Sequence, residues 1–158
     1  QPESVLVPTS APAPAFAPAQ EPSKYYKTNY QPHTITGKVT SVYDGDTITI
    51  ELPNKRPQKI RLSKIDAPEL GQPFGPEAQK ALADQILGKI VSVHVTDIDK
   101  YKRLVGDVEY KGTNLNFEML KKGLAEVFSF FLPDKATFTK LITEQTKQQQ
   151  AGVGMWSS

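Results

Sequence analysis

Five short runs rich in β-branched residues, each closed by a turn signal, constrain this chain more than any other feature. Thr34 to Tyr43 is followed by the turn dipeptide Asp44-Gly45, and Thr47-Ile-Thr-Ile-Glu-Leu52 alternates with period two, so the pair reads as a hairpin. After Pro53-Asn54, the run Gln58 to Ile65 places Ile60 and Leu62 on one face and Arg61 and Ser63 on the other. Ile90 to Thr96 sets Val91, Val93 and Val95 against Ser92 and His94, and Leu104 to Tyr110 ends at Lys111-Gly112. Three helical stretches accompany the strands. One begins near Pro76, with Ala78, Ala81, Leu82 and Ile86 on a shared face and Gly88 as its stop. A second is capped by Asn114 and runs through Lys121-Lys122 to Gly123. The third starts at Asp134, with Phe138, Leu141 and Ile142 at core spacing, and fades into the glutamine run. The pattern predicts an α+β domain in which a five-stranded OB-fold-like β-barrel carries three α-helices.

The preceding segment is of another kind. Residues 1–32 hold seven of the 13 prolines and no glycine, and proline both lacks a donor and restricts the residue before it. The expectation is a disordered Pro/Ala-rich linker over 1–32 and one domain over 33–158. The 158 residues contain no run apolar enough to span a membrane. A Pro/Ala tether opening at Gln1 fits a chain whose export signal has been removed, so the expected location is secreted or in the cell envelope or periplasm. Nothing in the pattern demands more than a monomer.

Composition narrows the chemistry. With no cysteine the chain has no disulfide, thiolate metal site or cysteine nucleophile, and two histidines supply few bases for a serine hydrolase. Nineteen basic against 17 acidic side chains give a net charge of +2, which permits nucleic-acid binding without requiring it. Carboxylates and arginines remain. Asp44-Gly45-Asp46-Thr47 and Asp66-Ala67-Pro68-Glu69 each follow a strand, and strands ending on one side would gather four carboxylates. Their mutual repulsion calls for a cation, and oxygen donors favour a hard one such as calcium or magnesium. Only three of the 19 basic residues are arginine: Arg56, Arg61 and Arg103. Arg61 lies on the strand feeding one acidic loop, Arg103 opens another strand, and their planar forks suit a phosphate. Together these groups describe phosphoryl-ester chemistry.

The order Val42-Tyr-Asp-Gly-Asp-Thr-Ile48, Ile60-Arg-Leu-Ser-Lys-Ile-Asp-Ala-Pro-Glu69, Phe74-Gly-Pro-Glu-Ala78, Asp99-Lys-Tyr-Lys-Arg103, Asn114 to Ala125 and Trp156 resembles the staphylococcal nuclease (thermonuclease, micrococcal nuclease) family across essentially all of residues 34–158. The resemblance implies a calcium-dependent endonuclease cutting DNA and RNA to 3′-phosphate ends, with Mg2+ or Mn2+ as other hard ions the site could accept. It implies that Asp46, Asp66 and the main-chain carbonyl of Ala67 bind the metal, with Asp44 and Thr47 supporting those ligands. Glu69 would be the general base, Arg61 and Arg103 the phosphate clamp, and Tyr101 and Lys102 substrate contacts. The chain departs from the family pattern at Lys102, where glycine is usual, in the short lysine-free loop from Glu69 to Phe74, and at Ser129 and Phe131, where tyrosines are expected. The competing readings are a non-catalytic nucleic-acid or protein-binding module on the same fold, and a structural calcium-binding domain. The second leaves the paired arginines unexplained.

Overall fold

The computed structural model describes residues 30–128 and 134–157. The expected linker up to residue 29, together with Ser129, Phe131 and Pro133, lies outside the described residues. The chain order is β1 (His33–Asp44), β2 (Thr47–Glu51), β3 (Pro57–Leu62), β4 (Ile65–Asp66), α1 (Gly75–Ile86), β5 (Ile90–Ile98), β6 (Leu104–Tyr110), β7 (Thr113–Asn114), α2 (Leu115–Lys121), β8 (Glu126–Val127) and α3 (Lys135–Ala151), with a short 3-10 turn at Gly154–Trp156. Strands β3, β2, β1, β5 and β6 are neighbours in that order, and a parallel β3–β6 pairing closes them into a five-stranded barrel. The α+β barrel with three helices is therefore the observed fold. Packing reaches slightly ahead of the first strand, because Tyr30 lies against the core.

Alternation explains which side chains fill the barrel. Ile48, Ile50, Ile60, Leu62, Val93, Val95 and Val108 are fully buried, and each alternates with a residue turned outward, as a pleated strand requires. Helix α1 adds Ala78, Leu82 and Ile86 to this core, and α2 adds Leu115, Met119 and Leu120. Helix α3 contributes less than its spacing suggests, since among its apolar residues only Leu141 is buried. Caps set the helix starts. Asn114 accepts from the Phe117 N–H at 2.9 Å and Asp134 from the Thr137 N–H at 2.7 Å, each satisfying an orphan donor of a first turn.

The run Gln58 to Ile65 does not form one strand. It breaks at Ser63-Lys64, where Lys64 takes φ of 70°, and the chain leaves the barrel so that β4 pairs with β8, Asp66 opposite Glu126. That break turns the acidic loop across the barrel's open end. Behind it, Asn116 ties α2 to the closing strands. Its Oδ1 accepts from the Val108 N–H at 3.0 Å, and its Nδ2 donates to the carbonyls of Ser63 at 2.8 Å and Gly106 at 3.1 Å.

Asn116→Ala would strip its side-chain partner from two buried main-chain groups, the Val108 N–H and the Ser63 carbonyl, while the Gly106 carbonyl keeps the Ser63 N–H at 2.9 Å; each lost partner costs about 1–3 kcal/mol. We expect this variant to lose about 3 kcal/mol or more in urea unfolding, with an unchanged slope; a loss under about 1 kcal/mol would show that water replaces the bracket.

Candidate active site

The β1–β2 ladder ends at the pair Asp44 and Thr47, leaving Gly45-Asp46 as the tip of a tight turn. Asp46 is 5% exposed, so its carboxylate must be satisfied from within. Thr47 Oγ1 donates to Asp46 Oδ1 at 3.1 Å, and the Ala67 N–H donates to Asp46 Oδ2 at 2.8 Å. Asp44 in turn accepts from the Asp46 N–H at 3.1 Å. Glycine is needed between them because a Cβ at position 45 would stand 2.7 Å from Ala67 Cβ and 2.8 Å from Ala78 Cβ. The missing side chain lets the turn press against the acidic loop and α1.

Arg61 enters from the neighbouring strand, opposite Thr47 in the β2–β3 register. Its Nη1 donates to the carbonyls of Leu62 at 2.6 Å and Ile65 at 2.8 Å, which fixes the guanidinium plane. Its Nη2 then lies 3.6 Å from Asp46 and 3.5 Å from Asp66, and the Phe128 ring packs 5.5 Å from the guanidinium carbon. One cation thus faces several carboxylates. Burial, with repulsion from Asp46 added, lifts Asp44 to about 6. Burial also raises Asp66; Arg61 opposes that rise, while Asp46 and Glu69 reinforce it. Glu126, opposite Asp66, is raised by burial and then by Asp66, and its proximity was not readable from sequence spacing.

Glu69 is exposed, and its carboxylate makes no hydrogen bond or ion pair among the described residues. Its backbone is held firmly. The Glu69 N–H donates to Gln72 Oε1 and the Gln72 N–H donates to the Glu69 carbonyl, both at 2.8 Å. Gly75 closes the loop: its N–H donates to the Gln72 carbonyl at 2.9 Å, and a Cβ there would meet the Glu69 carbonyl oxygen at 1.9 Å. Gln72 and Gly75 position Glu69. Gly75 lies within the Phe74-Gly-Pro-Glu-Ala78 motif, but spacing alone signals no task for it or for Gln72.

Arg103 is built differently. Asp99, 9% exposed, accepts from the main-chain N–H groups of Tyr101 at 2.9 Å and Arg103 at 3.0 Å through one oxygen, and from Arg103 Nε at 2.7 Å through the other. The terminal nitrogens of Arg103 make no hydrogen bond among the described residues. Its guanidinium carbon lies 5.4 Å from the Tyr101 ring. Lys102 adopts φ of 66°, the left-handed conformation that explains why glycine suits that turn.

Tyr43, Asp44, Asp46, Thr47, Arg61, Asp66, Ala67, Glu69, Leu70 and Arg103 line one cleft of about 350 Å³. The expected metal ligands, their supports, the base and both arginines therefore share a wall, whereas Tyr101 stands beside Arg103 and Lys102 is outside the lining. Tyr43 and Leu70 belong to the lining without having been foreseen. A larger cavity of about 480 Å³ opens between β6, α2 and α3, where Lys64 and Asp107 are paired at 3.0 Å and Lys140 lies over the Phe117 ring. Among the described residues no three His, Cys, Asp or Glu side chains form a ready metal cage. A hard ion here would rest on two carboxylates and a main-chain oxygen, and the raised affinity of the unneutralised carboxylates for protons fits such a donor set.

A family model described as staphylococcal nuclease homologue matches residues 59–158. The chain is similar to an uncharacterized endonuclease of Haemophilus influenzae, 34% identical over 122 residues that cover 77% of this chain and 66% of that protein. It is also similar to the micrococcal nuclease of Shigella flexneri, 34% identical over 130 residues covering 77% of this chain and 73% of that protein. A third relative is the staphylococcal-like nuclease CAN1 of Arabidopsis thaliana, 39% identical over 100 residues, covering 63% of this chain and 30% of that protein. The chain thus spans just under two thirds of the first of these relatives and a smaller part of the plant protein.

The raised Asp44 makes a stability prediction. A carboxyl lifted in the folded state favours folding when protonated, so its contribution is complete below the ordinary aspartate range and is lost as pH rises to about 6. Asp44→Asn keeps an acceptor for the Asp46 N–H and removes the charge. After allowance for solvent screening at the cleft wall, the metal-free variant should gain about 1–2 kcal/mol at pH 7. Its urea midpoint should also fall less between about pH 4 and 6 than that of the parent. Equal pH profiles would show that Asp44 does not carry the repulsion.

Proposed function

The chain belongs to the staphylococcal nuclease family, and we propose that it is an endonuclease hydrolysing phosphodiester bonds of DNA and RNA, calcium-dependent and leaving 3′-phosphate ends. The observation that carries this reading is one cleft lined by two arginines beside Glu69, a carboxylate that makes no hydrogen bond or ion pair among the described residues. Such an arrangement suits attack of water on a phosphate and little else: two permanent cations attract the diester, and an unpaired carboxylate can take a proton.

In this reading Asp46, Asp66 and the Ala67 carbonyl hold the ion, and Asp44 and Thr47 orient Asp46. When bound, calcium would offset phosphate charge and so reduce repulsion of the nucleophile. Glu69 accepts a proton from water as the water oxygen bonds to phosphorus. The P–O5′ bond breaks, the departing oxygen gains a proton from solvent, and the phosphate stays on the 3′ oxygen. Arg103, anchored through Nε, presents its free edge to the developing charge. Arg61 has its Nη1 committed to two carbonyls, so it acts from a fixed pose. Phosphate and stacking contacts carry little base information, which supports action on both nucleic acids.

The test is digestion of single-stranded DNA and RNA with calcium, magnesium or chelator, followed by analysis of fragment ends. Calcium-dependent cutting with 3′-phosphates is expected. Glu69→Gln should lower kcat by about 10²–10⁴ and Arg103→Ala by about 10²–10³, with the folded circular dichroism retained. Arg103 is the cleaner arginine, because Arg61 also braces the β3–β4 turn. Normal turnover by both variants would refute the roles assigned. A folded parent that binds nucleic acid yet cuts nothing would instead establish a binding module.

A further inference from the structure

Among the described residues, the large apolar side chains left most exposed are Tyr43, Leu70, Leu87, Ile90 and Tyr101. Leu87 and Ile90 sit where α1 returns to β5, but Tyr43 and Leu70 line the catalytic cleft and Tyr101 adjoins it. Exposing a ring to water costs free energy that packing elsewhere would recover. The position of Tyr43 is also constructed by the backbone. The β1–β2 register steps from Val42 opposite Ile48 to Asp44 opposite Thr47, so Tyr43 is an extra residue facing no partner. A bulge of this kind beside a functional site re-aims a side chain. Here it keeps Val42 and Asp44 inward, each 7% exposed, while Tyr43 remains 65% exposed.

The two tyrosines differ in what occupies their rings. Tyr101 has Lys100 Nζ at 5.2 Å and the Arg103 guanidinium carbon at 5.4 Å, so its π-face is engaged by cations and helps hold Arg103. Among the described residues no aromatic ring or cation lies against Tyr43. A flat neutral ring at the mouth of a cleft with two phosphate-directed arginines matches a nucleobase, since every base presents a π-face. Such a face is buried between neighbours in a duplex and available in a single strand.

We propose that Tyr43, with Leu70 at its side, forms a stacking subsite for one unpaired nucleobase next to the scissile phosphate. The inference rests on the nuclease reading above and adds the specificity determinant: Tyr43 binds the base, while Tyr101 acts through Arg103.

The test is a kinetic cycle on the full chain with a short single-stranded DNA carrying one cut site. Tyr43→Ala should raise KM about tenfold with kcat changed less than about twofold, and Tyr43→Phe, which keeps the ring, should recover most of the affinity. Ile90→Ala, an exposed site away from the cleft, serves as the control. Removing the base from the nucleotide on one side of the cut should raise the parent's KM about tenfold and add nothing further in Tyr43→Ala. An unchanged KM in Tyr43→Ala would overturn the proposal, as would a deficit that persists in full on substrates lacking either flanking base. If the parent cuts nothing, the nuclease reading fails separately. Anisotropy of the same labelled oligonucleotide then decides the subsite alone, with about tenfold weaker binding by Tyr43→Ala supporting it and equal binding overturning it.

Discussion

Parallel pairing of β3 with β6 is the constraint on which the rest of this molecule depends. It sets Ile60 beside Leu104, Arg61 beside Val105 and Leu62 beside Gly106, so the strand that bears Arg61 runs alongside the one that Arg103 opens. Parallel neighbours cannot be joined by a hairpin, and the intervening chain must cross the barrel end, carrying the acidic loop and α1 with it. The Leu62 N–H, on β3, donates to the Asp46 carbonyl at 2.8 Å, which brings the β1–β2 tip into the same junction. Asn116 holds the junction from behind through Val108, Ser63 and Gly106. Residues separated by more than fifty positions thereby share a cleft through backbone register alone.

The same junction concentrates charge that folding by itself does not favour. Asp44 and Asp66 have raised proton affinities because burial withdraws the water that would solvate them, and Arg61 neutralises only part of the field. The structure offsets the remainder locally, with a threonine hydroxyl and an alanine N–H on Asp46. Under the proposed calcium reading, a site arranged in this way trades stability in the ion-free state for affinity toward a hard cation. That is the expected cost of holding ligands before the ligand arrives.

Much of the fold was legible because its periodicity is local. Val91, Val93 and Val95 alternate visibly, Asn114 and Asp134 announce helix starts, and the core side chains follow from those patterns. The break at Ser63-Lys64 was not legible, since a lysine at φ of 70° carries no turn signature of the kind glycine or asparagine would give. Residue types and motif order pointed to Asp46, Asp66, Glu69, Arg61 and Arg103, and these do line one cleft. What spacing could not reveal were contacts made by main-chain atoms or across the ladder. The Gln72 clamp on Glu69, the threefold use of Asp99, the closeness of Glu126 to Asp66, and the bulge that frees Tyr43 all belong to this kind.

The short loop between Glu69 and α1 shows how a missing segment changes the physics of a site. A longer loop would present more chain to the substrate but would leave Glu69 tethered at one end, with its position averaged over many loop conformations. Here Glu69 is gripped three residues later by Gln72 and overlaid by Gly75, while Phe74 takes φ of 69° to start the helix. Glu69 gains a defined position, and the loop brings no lysine to the cleft. In the proposed nuclease reading, substrate affinity then falls to other groups on the rim, and Tyr43 and Leu70 are the exposed apolar surfaces the cleft offers beside Glu69. Under the proposed readings, precise placement of the proton acceptor and reliance on stacking for affinity would be two consequences of one loop length.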